Sequence, residues 1–316
     1  MKIVVTRPIP EVGIEMLKQA GHEVLVLPHD RPCTRTELLA ATEAAQGVLT
    51  MLTDKIDGEF LQQRPGVKAI ANYAVGYNNI DIAACQARGV CVSNTPDVLT
   101  DATAEVAWTL LMMAARRAGE GERMVRARQW SGWGPMQFQG MCVLGQTIGI
   151  IGAGRIGTRV AQMGKGFGMR VIYVHQRESE AMVQLDARRV ELPELLKDAD
   201  FVSIHVPLTA NTRHLVGTKE LQTMKKTAVL INTARGPVVD EAALVEALKS
   251  KIIFAAGLDV YEEEPKIHPG LFALENVVML PHIGSATVHA RNEMSQLAAD
   301  NLLAMLRGER GKTQIV

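Results

Sequence analysis

The sequence predicts an α/β protein built from two doubly wound parallel-sheet domains. Three observations carry that reading. The 316 residues exceed the span of one ordinary domain. Short apolar runs alternate with stretches of helical spacing almost throughout, and they fall into two series. A glycine-rich turn, Gly152-Ala153-Gly154-Arg155-Ile156-Gly157, follows the first strand of the second series and opens a helix.

The first series reads as strands at KIVVT (2–6), EVLVL (23–27), GVLTML (47–52), VKAIANYA (67–74) and VCVSN (90–94). Helical spacing lies between them at 11–21, 36–45 and 80–89. Strands apolar on both faces, with helices between, imply a parallel sheet covered on both sides. The second series reads as TIGIIG (147–152), RVIYV (170–174), FVSIHV (201–206), AVLINT (228–233), FAAGLDV (254–260) and VVML (277–280). Between the two series, residues 103–130 read as one long helical stretch, too polar on one side to be buried all round. It is expected to be a connecting helix or a subunit contact, with an ordinary intradomain helix as the alternative. A final helix is expected over about 286–307.

Composition excludes several classes. Apolar residues make up 47%, ordinary for a chain with real cores. Lys and Arg number 34 and so do Asp and Glu, which argues against a nucleic-acid binder or a polybasic membrane protein. No apolar run approaches the roughly 20 residues of a membrane span, and the start MKIVVTRPIP is too short in its apolar run for a signal peptide. Cys33, Cys85, Cys91 and Cys142 form no C-x-x-C pair and have no His cluster beside them. Four buried thiols in a reducing compartment are therefore expected, rather than a disulfide framework or a zinc site. The expected location is the cytoplasm.

The glycine turn carries the first piece of chemistry. Gly152 permits the tight turn, Gly154 lets the backbone approach a pyrophosphate, and Gly157 allows close helix–strand packing. The helix start adds free N–H groups and a dipole that favours phosphate. Alone the motif could serve packing; between two strands it reads as a dinucleotide loop. An acid about 20 residues further on would bind the ribose 2′-hydroxyl of NAD. The end of RVIYV instead carries His175, Gln176 and Arg177. A carboxylate there would repel a 2′-phosphate, whereas His175 and Arg177 would attract it. NADP(H) is therefore expected to be preferred, with NAD(H) as the second cofactor the loop could take.

Three polar groups follow three strands of the second series: Arg235 after AVLINT, Glu262, Glu263 and Glu264 after AAGLDV, and His282 after VVMLP. Ligands bind beyond the carboxyl ends of such strands. Arg235 can clamp a carboxylate and polarise the neighbouring carbonyl. A His titrating near neutrality can supply the proton that the carbonyl oxygen needs as hydride arrives. A carboxylate beside it would orient the ring. The set suits reduction of a 2-keto acid.

The motifs GAGRIG, NTARG, GLDVYEEEP and LPHIGSAT, in this order and spacing, resemble the D-2-hydroxyacid dehydrogenase family over essentially the whole chain. The resemblance implies Arg235, Glu264 and His282 as the catalytic set, Glu264 being the acid paired with the His. It implies Val75 and Gly76 of YAVGYNNID as carboxylate-binding N–H groups. It also implies cofactor contacts at Arg155, Ile156, Pro207, Thr212, Thr233, Asp259 and Gly284. It implies a Rossmann cofactor domain, residues 99–286, inserted in a flavodoxin-like substrate domain, residues 1–98 and 287–316, with hinges near Pro96–Leu99 and Ile283–Thr287 that close a cleft against water. Family members that use NAD commonly carry Asp where His175 stands, so the departure supports NADP(H). No metal is expected.

The segment ARRAGEGERMVRARQWSGWGP resembles the glycerate dehydrogenase and glyoxylate/hydroxypyruvate reductase branch. The expected reaction is reduction of glyoxylate and hydroxypyruvate to glycolate and D-glycerate. The only expected partner besides the small-molecule acid is a second copy of the chain, in a homodimer with the 103–130 stretch as its arm. The rivals are another D-2-hydroxyacid dehydrogenase, acting on lactate, phosphoglycerate or a branched-chain acid, and a non-catalytic dinucleotide-sensing interaction protein. A formate dehydrogenase fits less well, because that branch usually has Gln at the position of Glu264.

Overall fold

A computed structural model describes residues 1–316. The chain divides into two compact units, Met1–Leu99 with Ser285–Val316, and Thr100–Gly284. The first unit begins with β1 (Lys2–Val5), α1 (Glu11–Gln19), β2 (Glu23–Val26), α2 (Arg35–Ala41), β3 (Gly47–Thr50), α3 (Gly58–Gln63), β4 (Ala69–Asn72), α4 (Ile82–Ala87) and β5 (Cys91–Ser93). Its five strands form a parallel sheet in the order β2-β1-β3-β4-β5. Val4, Val48, Ile70 and Val92, one from each inner or right-hand strand, are fully buried in one cluster. At the other edge, EVLV of β2 alternates exposed and half-buried residues, because an edge strand has cover on one side only.

The second unit contains α5 (Thr100–Ala115), α6 (Ala118–Arg126), β6 (Thr147–Ile151), α7 (Arg155–Gly166), β7 (Arg170–Val174), α8 (Glu180–Val183), β8 (Arg188–Arg189), α9 (Leu192–Asp198), β9 (Phe201–Ile204), α10 (Thr218–Thr223), β10 (Val229–Asn232), α11 (Glu241–Lys249), β11 (Ala255–Leu258) and β12 (Val277–Met279). Its seven strands are parallel, in the order β12-β11-β10-β9-β6-β7-β8. The order reverses beside β6 and β9, which is where a doubly wound sheet opens a crevice at its carboxyl edge. The last helix, α12 (Val288–Leu306), returns to the first unit and packs on α1, β3 and β4.

The long helix expected over 103–130 is two helices. Arg117 takes a left-handed conformation (φ 53°) and breaks the run after Ala115. The first piece, α5, is a core helix of the second unit. It packs on β10, β11 and α7 and buries Leu110, Leu111, Ala114 and Ala115. Its Trp108 donates its indole N–H to the Val160 carbonyl (3.1 Å) and stacks on Phe167 at 4.6 Å between centroids. The second piece, α6, buries only Gly119. The thiols also differ from expectation. All four are free, but only Cys85 is buried. Cys33 and Cys91 are half-buried, Cys91 on the edge strand β5, and Cys142 is exposed in the loop before β6. No helix is long and apolar enough to cross a membrane.

Because Leu110 is fully buried where α5 meets β11, Leu110→Ala should lower the unfolding free energy by about 2–5 kcal/mol. Urea denaturation followed by tryptophan fluorescence measures this, and a loss under about 1 kcal/mol would place the helix outside the core.

Candidate active site

The glycine turn is built as its chemistry requires. Gly152 has φ +101°, and a Cβ there would lie 2.7 Å from the His205 carbonyl group. A Cβ on Gly157 would lie 2.1 Å from the Gly152 oxygen, so β6 and α7 meet only through glycine. A Cβ on Gly154 would meet nothing within 4 Å, and no side chain caps the first turn of α7. That combination is an open cradle lined by helix N–H groups, including those of Arg155 and Ile156, and it fits a pyrophosphate. Further along the edge, Pro207 and Thr212 form a stapled turn after β9. The Thr212 hydroxyl donates to the Pro207 carbonyl (2.6 Å) and accepts from the Thr209 N–H (2.8 Å). Thr233, at the end of β10, is buried with its hydroxyl unpaired. An orphaned polar atom at the carboxyl end of this strand fits a polar group of a cofactor.

At the end of β7, His175 is half-buried and Gln176 and Arg177 are exposed. Arg189, on the two-residue edge strand β8, donates from Nε to the His175 carbonyl (3.0 Å) and from Nη2 to the Gln176 carbonyl (3.3 Å). Its neighbour Arg188 is neutralised by Glu194 and Asp198 at 2.6 and 3.8 Å. Arg189 thus adds a second cation to this corner, one that no pattern in the sequence marks. A charged dipeptide carries no strand periodicity to signal it.

The strands β10, β11 and β12 end level, with Asn232 opposite Leu258 and Leu258 opposite Met279. The loops leaving them carry Arg235, Glu264 and His282. The Asn232 carboxamide accepts from the Ala234 N–H and donates to the Arg235 carbonyl, both at 3.0 Å, so a buried side chain sets the arginine's backbone. Gly236 then lies so close to Tyr261 that a Cβ would overlap its carbonyl at 1.8 Å. Glu264 turns back to accept the Tyr261 N–H (3.0 Å) with one oxygen and pairs with His282 Nδ1 at 2.8 Å with the other. The two side chains are 28% and 30% exposed, so the pair is reachable from solvent. Burial raises the Glu264 pKa, but the His282 hydrogen bond and charge outweigh it, and with Tyr261 N–H and Arg235 they hold the carboxyl below its ordinary value. Burial lowers the Arg235 pKa and Glu264 opposes that shift.

His282 sits at φ 55°, the left-handed region that costs a non-glycine residue roughly 1–3 kcal/mol. The next two N–H groups explain how it is held. Ile283 and Gly284 both donate to the Asp259 carboxylate, at 2.8 and 2.7 Å. Asp259 was expected as a cofactor contact; here its two oxygens fasten the turn that aims His282. Burial pushes its pKa up. Asn232 and this role of Asp259 are tertiary consequences of strands meeting side by side, and no spacing in the sequence announces them.

In the first unit, the loop after β4 holds Val75 and Gly76. The Asn94 carboxamide donates to the Val75 carbonyl (2.8 Å) and that of Asn72 to the Gly76 carbonyl (2.9 Å). Both carbonyls are thus held by side chains of the same unit. No group of three or more His, Cys, Asp or Glu side chains is placed to hold a metal ion.

These elements identify a class: a dinucleotide-binding oxidoreductase fold with an Arg–Glu–His set at the carboxyl edge of its larger sheet. Residues 108–284 match the family model described as D-isomer specific 2-hydroxyacid dehydrogenase, NAD binding domain. A glyoxylate reductase from Thermococcus gammatolerans is 50% identical over 313 residues, covering 98% of this chain and 93% of its own. A crystal structure of a protein from Thermus thermophilus superposes with a TM-score of 0.95 at 41% identity, covering all of both chains. An NADPH-dependent glyoxylate/hydroxypyruvate reductase from Sinorhizobium meliloti, solved with NADP and malonate, superposes with a TM-score of 0.87 at 32% identity, covering 100% of this chain and 96% of its own. The chain belongs to the D-isomer specific 2-hydroxyacid dehydrogenase family.

The half-buried His205, whose Nε2 lies 2.8 Å from the Ser203 hydroxyl, has its pKa pushed down to about 3 by burial. Its unfolded value is near 6.5, so the unfolded chain takes up the proton first. Stability should therefore fall as pH drops from about 6.5 toward about 3, and His205→Asn should flatten that fall. Urea midpoints between pH 7 and pH 4 measure it; an equal slope in both proteins would contradict the assignment.

Proposed function

We propose that the protein reduces small 2-keto acids, glyoxylate and hydroxypyruvate, to the D-2-hydroxy acids glycolate and D-glycerate, with NADP(H) preferred over NAD(H). The observation that carries the reading is the Glu264–His282 hydrogen bond with Arg235 on the same sheet edge. Reduced nicotinamide, when bound, supplies the hydride. Gly152, Gly154 and Gly157, with the N–H groups of Arg155 and Ile156, hold the pyrophosphate. Pro207, Thr212, Thr233, Asp259 and Gly284 line the remainder of the cofactor's path.

Arg235 engages the substrate carboxylate and polarises the carbonyl. With Nδ1 held by Glu264, His282 presents Nε2 to the carbonyl oxygen. It gives its proton as that oxygen gains charge and recovers it in the reverse direction. Glu264 fixes the ring and balances the positive charge of its protonated form. The Val75 and Gly76 N–H groups are the first unit's candidates for a carboxylate. The glyoxylate reductase name of the half-identical relatives supports the substrate class, and the NADP-bound Sinorhizobium enzyme supports the cofactor. His175, Gln176 and Arg177 with Arg189 make a corner suited to a 2′-phosphate. The same reading places the enzyme in the cytoplasm as a homodimer. Exposed Trp130, Trp133 and Met136 after α6 are apolar surface for the contact, and light scattering tests it.

A matrix of keto acids against NADH and NADPH tests the reading. Glyoxylate and hydroxypyruvate with NADPH should give the highest kcat/KM, and a strong NADH preference would refute the cofactor assignment. Arg177→Ala should lower kcat/KM for NADPH by about tenfold or more and leave NADH nearly unchanged. His282→Ala should lower kcat by about 10²- to 10⁴-fold while NADPH still binds, as fluorescence titration would report; near-normal turnover would end the acid/base assignment.

A further inference from the structure

Glu241, the first residue of α11, is only 6% exposed, and no Lys, Arg or His lies within ion-pair distance of it. A buried carboxylate without a counter-ion is costly unless its oxygens are satisfied, and an apolar side chain would pack there with less penalty. Both oxygens are satisfied by backbone alone. Oε1 accepts the Glu262 N–H at 2.6 Å, and Oε2 accepts the His268 N–H at 3.1 Å. These donors are the two ends of one loop, and Glu264 lies between them. The grip is reciprocal, since the Glu241 N–H donates to the Glu262 carboxylate at 3.3 Å. Glu262 is in turn held by His214 (2.5 Å) and, more loosely, by Arg213 (3.7 Å). The loop is otherwise exposed from Glu263 to Lys266.

We propose that Glu241 is a positioning residue: its carboxylate clamps both ends of the 262–268 loop and so holds Glu264 in register with His282. This rests on the reading of Glu264 and His282 as the acid/base pair. The clamp touches neither the substrate carboxylate nor the glycine cradle, so its loss should appear in turnover and not in binding.

The test is a double-mutant cycle on the full-length enzyme. Glu241→Gln keeps the shape but loses one acceptor, setting an amide N–H₂ against a backbone N–H. It should lower kcat for glyoxylate about 10- to 100-fold, with KM for glyoxylate and Kd for NADPH within about twofold of wild type. In a Glu264→Gln background, Glu241→Gln should lower kcat no further, because a residue acting through Glu264 has nothing left to position. Losses that multiply, or a Glu241→Gln enzyme with wild-type kcat, would overturn the clamp. A Glu264→Gln enzyme with wild-type kcat would instead overturn the reading beneath it. Should Glu241→Gln fail to fold, His268→Pro removes one donor to the carboxylate, together with the imidazole that accepts the Gly270 N–H (3.1 Å), and leaves the carboxylate in place; the φ of −56° there suits proline. It should give a smaller kcat loss that Glu264→Gln likewise absorbs, and a loss that multiplies would overturn the clamp.

Discussion

The parallel register of β10, β11 and β12 is the constraint from which the candidate site follows. Hydrogen bonding between these strands makes their carboxyl ends level, so three loops far apart in the chain leave the sheet at one edge. Arg235, Glu264 and His282 need no long excursion to meet. The close approach of Gly236 to Tyr261 locks the first two loops together, and the Glu264–His282 hydrogen bond joins the second to the third.

A recurring device then fixes the loops. Short polar side chains take backbone N–H groups that a turn leaves without partners. Asn232 does this for Ala234, Asp259 for Ile283 and Gly284, and Glu264 for Tyr261. Asn72 and Asn94 do the complementary job on the carbonyls of Gly76 and Val75 in the first unit. A backbone held in this way can keep His282 in a left-handed conformation that an isolated turn would not favour. The aim of the imidazole is therefore a property of the sheet edge and not of the residue alone.

Much of this is legible in the sequence. Apolar runs mark eleven of the twelve strands to within a residue or two, all but the charged dipeptide β8, because core strands and glycine turns are set locally. The glycine loop and the residue types at the three strand ends were readable for the same reason. What the sequence hid was tertiary. The break at Arg117 needs a left-handed residue that helical periodicity does not mark, and the burial of α5 depends on the sheet it covers. Cys142 and Cys91 looked like core residues by type and are not buried, since a loop or an edge strand offers too little cover. Arg189 reaches the end of β7 only because β8 pairs beside it.

Turnover requires that Arg235 and the Glu264–His282 pair act on one keto acid. A structure of the protein crystallised with NADPH and oxalate, an unreactive stand-in for the keto acid, tests it most directly. One oxalate carboxylate should contact the Arg235 guanidinium, and an oxygen of the other should lie within hydrogen-bonding distance of His282 Nε2. Oxalate bound away from either side chain, with the cofactor in place, would contradict it.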